Sequence, residues 1–539
     1  MFRTLIISLI INFPYCMSEE IVGYDWSNHF GYANINGNVM WNSDWNAGPF
    51  FFDGTWSTNP GLMGPFIKDM FLKKKMDTLK IENNKVLSNF DYTQGDYLQD
   101  ELSIYLKNYG TNKTLNIHGF KRSFAGIYNQ YTPVGTYPKP IQQSYTIHFE
   151  TNKKNDEVDI SIGHFNTLSG IPVDKNNSKK ALYDSRVTSS SIVWLKKYSL
   201  FDISLKSSHF LQRFFSDYNR SDTLSLQFSN TDKIRYLNRQ KREIHLNSKN
   251  KSKIKPNFYS ELNSRSIRGI LNPITWGKFL LGINYNTNFY FGLGSSFIQK
   301  QNDIIYELVY NYNQNKILIK LLSKKNISPL HPFFNEESQK LSTSHSGVEI
   351  FLDYSKFKLF NSINYNTSKG RIFFDLDQIY YDESNINLEA QIDFYVFSFY
   401  NLKLEYSKNQ GGKYLNDGVK DKFSLINNYN ARVFKGVLDL SLDITLTAWM
   451  NREPQWYLHL IESVPIFIKD RKNLNDFWFL DLSLTAEVAS FRIEYNWKNL
   501  SGYLNRQGYD QISNNLYFHP MMPEVGSQKS LKIIWNFLD

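Results

Sequence analysis

Residues 437–449 read VLDLSLDITLTAW, and the rest of the chain is best understood from their alternation. Leu438, Leu440, Leu442, Ile444 and Leu446 fall on one side of an extended strand, while Asp439, Ser441, Asp443, Thr445 and Thr447 fall on the other. A strand of a soluble domain averages about 5–6 residues, whereas a tilted strand that crosses a bilayer needs about 9–11. The stretch fits the longer measure, so its apolar face is expected on lipid and its polar face on water.

The pattern recurs. Residues 479–488 set Leu480, Leu482, Leu484, Ala486 and Val488 against Asp481, Ser483, Thr485 and Glu487, and residues 386–396 set Ile386, Leu388, Ala390, Ile392, Phe394 and Val396 against Asn387, Glu389, Gln391 and Asp393. Lipid cannot hydrogen-bond a free strand edge, so membrane strands must close into a barrel. The fold class expected is all-β: a transmembrane antiparallel up-and-down β-barrel. Alternating segments separated by turn residues number roughly 18–22 along the chain, and bacterial single-chain barrels favour even counts.

Composition agrees. Aromatic residues make up 16% of the 539, yet mean hydropathy is −0.44, the average expected of lipid outside and water inside. Beyond the extreme N-terminus no run approaches the ~18 apolar residues of a membrane helix. The formal charge of +10 is modest, with a basic cluster at residues 233–255 that reads as a solvated loop. For an exported chain such a patch would meet phosphate-bearing lipid or polysaccharide rather than nucleic acid.

Residues 1–18 read as a secretory signal, with Arg3 ahead of an apolar core at 4–13 and small residues at Cys16 and Ser18 before a cut. Cys16, the single cysteine, would leave with the signal; lipidation is the competing reading, against which bulky Pro14 and Tyr15 stand. Residues 19–80 are rich in Trp, Gly and Asn and include an amphipathic stretch at 65–79, a periplasmic lead-in or a small lumen segment that could plug the pore. Residues 81–539 would form the barrel, with strands from about Lys85. Polar segments at 126–143, 166–190, 233–255 and 323–346 are expected as long loops, and the hairpin turn at 152–156 as one of the short turns on the periplasmic side.

Aromatic residues collect where strands end: Tyr285, Phe289 and Tyr290; Tyr380 and Tyr381; Phe399 and Tyr400; Trp449; Trp456 and Tyr457; Phe477 and Trp478; Tyr495 and Trp497. Amphipathic rings favour the headgroup layer, so they are expected to form girdles. The last strand alternates Leu531, Ile533, Trp535 and Phe537 up to Asp539. Before it come FRIEYNWKN at 491–499 and a loop containing Pro520, Met521, Met522, Pro523 and, displaced, Gly526. This ending resembles that of plugless bacterial outer-membrane porins and of TonB-dependent receptor barrels, whose terminal strand is close to GIxWxFxD. The resemblance covers about fifty residues and implies assembly into an outer membrane, with Trp535 and Phe537 as a signal read transiently by the barrel-assembly machinery. TonB-dependent receptors carry a folded plug much longer than the stretch before Lys85, so the plugless porins are the nearer likeness.

No His-Glu-x-x-His, Gly-x-Ser-x-Gly or phosphate-cradling Gly loop appears, and catalytic, metal and cofactor residues are assigned to none. His118, His148 and His164 sit on early strands, where lumen or interface roles outweigh metal binding. Asp439, Asp443, Asp481, Glu487, Arg492 and Glu494 are expected to line the pore, where hydrated charges bias solute entry. The expected function is passive, porin-like diffusion of small hydrophilic solutes through the outer membrane, among lipid and lipopolysaccharide. The alternatives are a structural or adhesive surface barrel and a gated transporter with a small N-terminal plug.

Overall fold

A computed structural model describes residues 19–24, 31–35 and 38–42 and, with breaks mainly at connections, residues 85–538. The signal reading at 1–18 with Cys16, the amphipathic stretch at 65–79, the loop at 520–526 and Asp539 lie outside the described residues.

Twenty-two antiparallel strands, each bonded to its neighbours in sequence order, form a closed wall running from Val86–Gly95 to Gln528–Leu538. This is the upper end of the expected count. Two further short strands, Trp456–His459 and Val464–Phe467, stand off the wall, because Leu438–Arg452 pairs directly with Phe477–Val488. Their hairpin reaches along the rim to pair in parallel with Phe373 and Phe374 of Phe357–Phe374. The N-terminal strands Glu19–Tyr24, Gly31–Ile35 and Asn38–Asn42 form a separate antiparallel sheet. Its third strand lies near Ile141–Asn152, Asp156–Pro172 and Lys180–Lys197.

The seam between first and last strands runs from Ser530 opposite Gly95 to Leu538 opposite Leu87. Side chains clasp it along its length. Asn89 Nδ2 donates to Asn536 Oδ1 at 2.8 Å, Lys532 meets Asp91 at 3.4 Å, and the Lys529 amide donates to Asp96 Oδ2 at 2.8 Å. At the top, the Tyr97 hydroxyl donates to the Ser527 carbonyl at 2.7 Å. No edge is left among the wall strands, which removes the unpaired N–H and C=O groups that lipid could not satisfy.

The side chains are arranged inside out. Ile147, Ile162, Leu281, Leu293 and Ile304 are exposed on the outer face, while Asn89, Thr93, Glu101, Lys241 and Asn263 are buried on the inner one. At one end every connection is short, and there outward aromatics pair: Tyr198 stacks on Phe201 (4.9 Å), Tyr354 on Phe357 (5.0 Å) and Phe397 on Phe399 (5.1 Å), while Trp535 lies tilted against Phe537 (4.4 Å). Rings in this position suit an interfacial girdle. Gly436, at φ +89°, takes the left-handed backbone of the turn leading into Leu438–Arg452, a conformation cheap only for glycine. The opposite end carries the long connections, such as residues 453–476 and 499–527.

Several loop expectations are corrected. The basic cluster at 233–255 falls mainly on the strands Ile234–Ser248 and Ile254–Ile267, with Lys233 outside the described residues. The polar segments at 166–190 and 323–346 likewise belong mostly to strands, leaving only 173–179 and 330–339 as connections; at 126–143 the strand Ile141–Asn152 begins early. Wet-facing polar residues, and strands running past the hydrocarbon layer, made these segments look like loops.

The girdle reading is also corrected in part. Tyr380 is 65% exposed but its neighbour Tyr381 is buried against Ser368, and Tyr290 and Trp449 also turn inward. Adjacent residues of a strand must face opposite ways, so an aromatic doublet cannot serve one girdle with both rings. Trp449 shares the parity of Asp439 and Asp443, and Lys422 lies 5.2 Å over its ring.

Leu442 sits between outward Tyr429 and Leu484 on its neighbours, about four residues up from the short-turn end. Leu442→Arg is expected to destabilise the barrel by about 2–4 kcal/mol in urea titrations after refolding into phosphatidylcholine vesicles. A change below about 1 kcal/mol would reverse the facing assigned here.

Candidate functional site

Period two places the six charged candidates on one face, and the register brings four of them, Asp439, Glu487, Arg492 and Glu494, together. Arg432, Asp439, Glu487 and Arg492 lie on one row across four strands, and Glu494 stands opposite Lys532. Arg432 grips Asp439 with two donors, Nε to Oδ1 at 2.6 Å and Nη2 to Oδ2 at 3.0 Å. Arg492 donates to Glu487 at 2.8 Å and to Glu494 at 3.4 Å, and Lys532 continues the series to Asp91 across the seam. Charges of both signs thus line the inner wall near the short-turn end, with like-charged Asp439 and Glu487 side by side between Arg432 and Arg492. Their fields largely cancel, so the row orders water and fixes strands rather than projecting one strong sign.

The remaining two candidates differ in use. Asp443 accepts from Asn428 beside the row. Asp481 accepts the backbone N–H of Asn499 at 2.7 Å, where Asn499 turns the chain at φ 51° and its own Oδ1 accepts from Ser501 and Gly502. That carboxylate is engaged in ending the strand Phe491–Lys498.

A second constellation was not singled out from sequence. On four neighbouring strands, Lys206, Lys241, Glu243, Tyr259, Glu261 and Lys278 converge on the inner wall at mid-height. Glu243 and Glu261 stand directly opposite each other. Two like charges so placed repel, and the neighbours compensate: Lys206 lies 2.9 Å and Lys241 3.2 Å from Glu243, while Lys241 and Lys278 each lie 3.6 Å from Glu261. The Tyr259 hydroxyl sits between the carboxylates, 3.0 Å from Glu243 Oε1 and within bonding reach of Glu261. Beside the cluster is an apolar shelf of Trp276, Leu280, Ile298, Ile305 and Ile327. The available signal was the alternation in KREIHL at 241–246, which sends Lys, Glu and His one way and Arg, Ile and Leu the other. It was masked by reading the segment as a basic loop.

The three histidines do not converge. His118 bonds Ser103 at 2.9 Å, and His148 lies between Asn116 (2.9 Å) and Asp159 (2.7 Å), both on the inner face. His164 has the opposite parity and bonds Thr188 on the outer face. Among the described residues no group of three His, Cys, Asp or Glu side chains is placed to hold a metal ion.

No family model matches the sequence, and no curated protein matches it. Solved structures do. The siderophore receptor PirA from Acinetobacter baumannii aligns over 85% of this chain and 81% of its own, with a TM-score of 0.62 at 8% identity. The FrpB iron transporter from Neisseria meningitidis (F3-3 variant) covers 85% and 82%, with a TM-score of 0.62 at 9% identity. The copper transporter OprC covers 85% and 82%, with a TM-score of 0.57 at 8% identity. The chain shares their barrel fold. At such identity the likeness concerns backbone architecture, and the inner-wall residues must be read on their own chemistry.

Lys241 is only 7% exposed and touches both carboxylates. Lys241→Met should therefore leave Glu243 and Glu261 facing each other undercompensated and cost about 3–5 kcal/mol. Equilibrium unfolding in detergent checks this, and the double variant Lys241→Met with Glu243→Gln should recover a substantial part of the loss.

Proposed function

We propose that this chain is an outer-membrane β-barrel acting as a gated transporter for small solutes, with the N-terminal region around residues 19–80 serving as a small plug. The observation that carries the reading is the 22-stranded wall. Barrels of 16–18 strands leave an open aqueous channel, whereas 22-stranded outer-membrane transporters enclose a lumen that is plugged. The solved neighbours named as a siderophore receptor and as iron and copper transporters support the same class and suggest cargo that includes metal complexes. The N-terminal sheet beside three wall strands is consistent with a segment kept near the barrel.

In this reading Asp439, Asp443, Glu487, Arg492 and Glu494 line the exit toward the periplasm, and Asp481 holds the turn at Asn499 further along the wall. Export would use residues 1–18, and Trp535 and Phe537 would engage the assembly machinery in passing. Passive, porin-like diffusion becomes the second reading.

Planar-bilayer recording separates the two. The intact mature chain should be nearly silent, and a variant lacking residues 19–80 should pass a steady current. A steady current through the intact chain would return the assignment to an open porin, and silence from both forms would favour a structural or adhesive barrel.

A further inference from the structure

We infer that the outer face of strands Lys180–Lys197, Phe201–Asp217, Ile234–Ser248 and Ile254–Ile267 carries a binding site for a phosphorylated lipid headgroup of the outer leaflet. Arg186 and Arg213 are register partners, and Arg213 is in turn opposite Tyr236. The Arg268 amide donates to the Tyr236 carbonyl at 3.0 Å, and its guanidinium lies 5.8 Å from the Tyr236 ring. Three guanidiniums and a phenol therefore occupy one row across four strands. They share the parity of Ile192, Leu205 and Ile244, all exposed on the outer face, so the row looks away from the lumen.

Height sets the occupant. Arg213 stands twelve residues beyond Phe201, which stacks on Tyr198 in the aromatic pairs at the short-turn end. At a rise of ~3.3 Å per residue and a tilt of ~40°, that is ~30 Å along the barrel axis, just past an apolar band of ~25 Å. The row thus lies at headgroup level on the long-loop side, which is the outer leaflet. Directly below it the outer face is unusually polar, with Ser207, Gln240 and Arg242 at positions where other sectors carry Leu or Ile, and with His209 bonded to Asn238 at 2.9 Å. A headgroup can settle into this sector at less cost to the apolar contact than elsewhere on the wall.

Charge and donor geometry set the chemistry. Among the described residues one carboxylate, Asp184, lies within the row, 3.2 Å from Arg213 and 3.5 Å from Arg186, so the described groups of the row carry a net charge of about +2. Arg186 keeps 55% of its side chain exposed. Planar guanidiniums present paired N–H donors that match phosphate oxygens, and their weak hydration lowers the cost of leaving water. A phosphorylated glycolipid, with its anionic groups at the headgroup and its chains along the apolar wall below, satisfies both requirements at once.

The site rests on the outer-membrane placement proposed above, which heat-modifiable migration on a detergent gel checks separately. The test is native mass spectrometry of the detergent-purified barrel with bisphosphorylated lipid A, dephosphorylated lipid A and inorganic phosphate as probes. Wild type should retain bisphosphorylated lipid A, the triple variant R186Q/R213Q/R268Q should lose about tenfold of that retention while staying heat-modifiable, and dephosphorylated lipid A should bind both weakly. If the triple variant does not fold, R213Q alone is expected to lose retention by several-fold. Equal retention by wild type and folded variant would overturn the site. So would displacement by inorganic phosphate at the concentration at which lipid A binds, which marks a free-phosphate site, or a fall in oligomer mass without lipid loss, which marks an interface between copies.

Discussion

Every backbone N–H and C=O in a hydrocarbon layer must find a partner within the chain, and in this protein that requirement is met at a single seam. Each strand but the first and last has two neighbours supplied by simple sequence order. The closure between Val86–Gly95 and Gln528–Leu538 joins residues more than four hundred positions apart, and it pays the loop entropy of the whole wall at one step. That is why the seam carries more than ladder bonds: Asn89 to Asn536, Lys532 to Asp91, Asp96 to Lys529 and Tyr97 to Ser527 lock it at four heights. The alternation of the terminal strand, with Trp535 outward against Phe491 and Ile534 inward, lets one segment satisfy lipid, lumen and neighbour together.

Once the wall is closed, parity does the remaining sorting, and parity explains what could be read in the sequence. Residues 438–447 and 480–488 were legible because both faces are pure, Leu on one side and Asp, Ser, Thr or Glu on the other. Residues 234–248 were not, because the outer face there includes Asn238, Gln240 and Arg242 and no longer contrasts with the inner one. The aromatic doublets were legible as strand ends but not as girdles, since Tyr380 and Tyr381 are forced to opposite faces. The six charged candidates were found because a single strand declares its faces. Their partners were not, because register between strands depends on turn lengths that the alternation does not encode.

The inner wall shows how a barrel accommodates charges that face neither open water nor lipid. Glu243 and Glu261 would repel as direct neighbours, yet each is matched by lysines from flanking strands, and Tyr259 occupies the space between them. Removing charges from water is costly unless geometry returns the loss, and here five charged groups and a hydroxyl share the task. The cluster joins four successive strands at mid-height. Close to it, Trp276 and Leu280 present an apolar shelf, so one sector of the wall offers a solute both fixed charge and a dry contact.

Identity of 8–9% with barrels of the same architecture follows from this division of labour. The fold demands only that alternate positions be apolar, that one end turn tightly and that the last strand match the first; almost any residues of the right class meet those demands. Cargo recognition demands particular groups at particular heights, and those groups lie on the inner face and in the long connections, where the barrel tolerates nearly any polar residue. Architecture and cargo are therefore written in separate sets of positions. Two barrels can share the first set and differ throughout the second; on the transport reading proposed above, selection falls to this chain's own Lys206–Lys278 sector and to the mixed-charge row from Arg432 to Asp91.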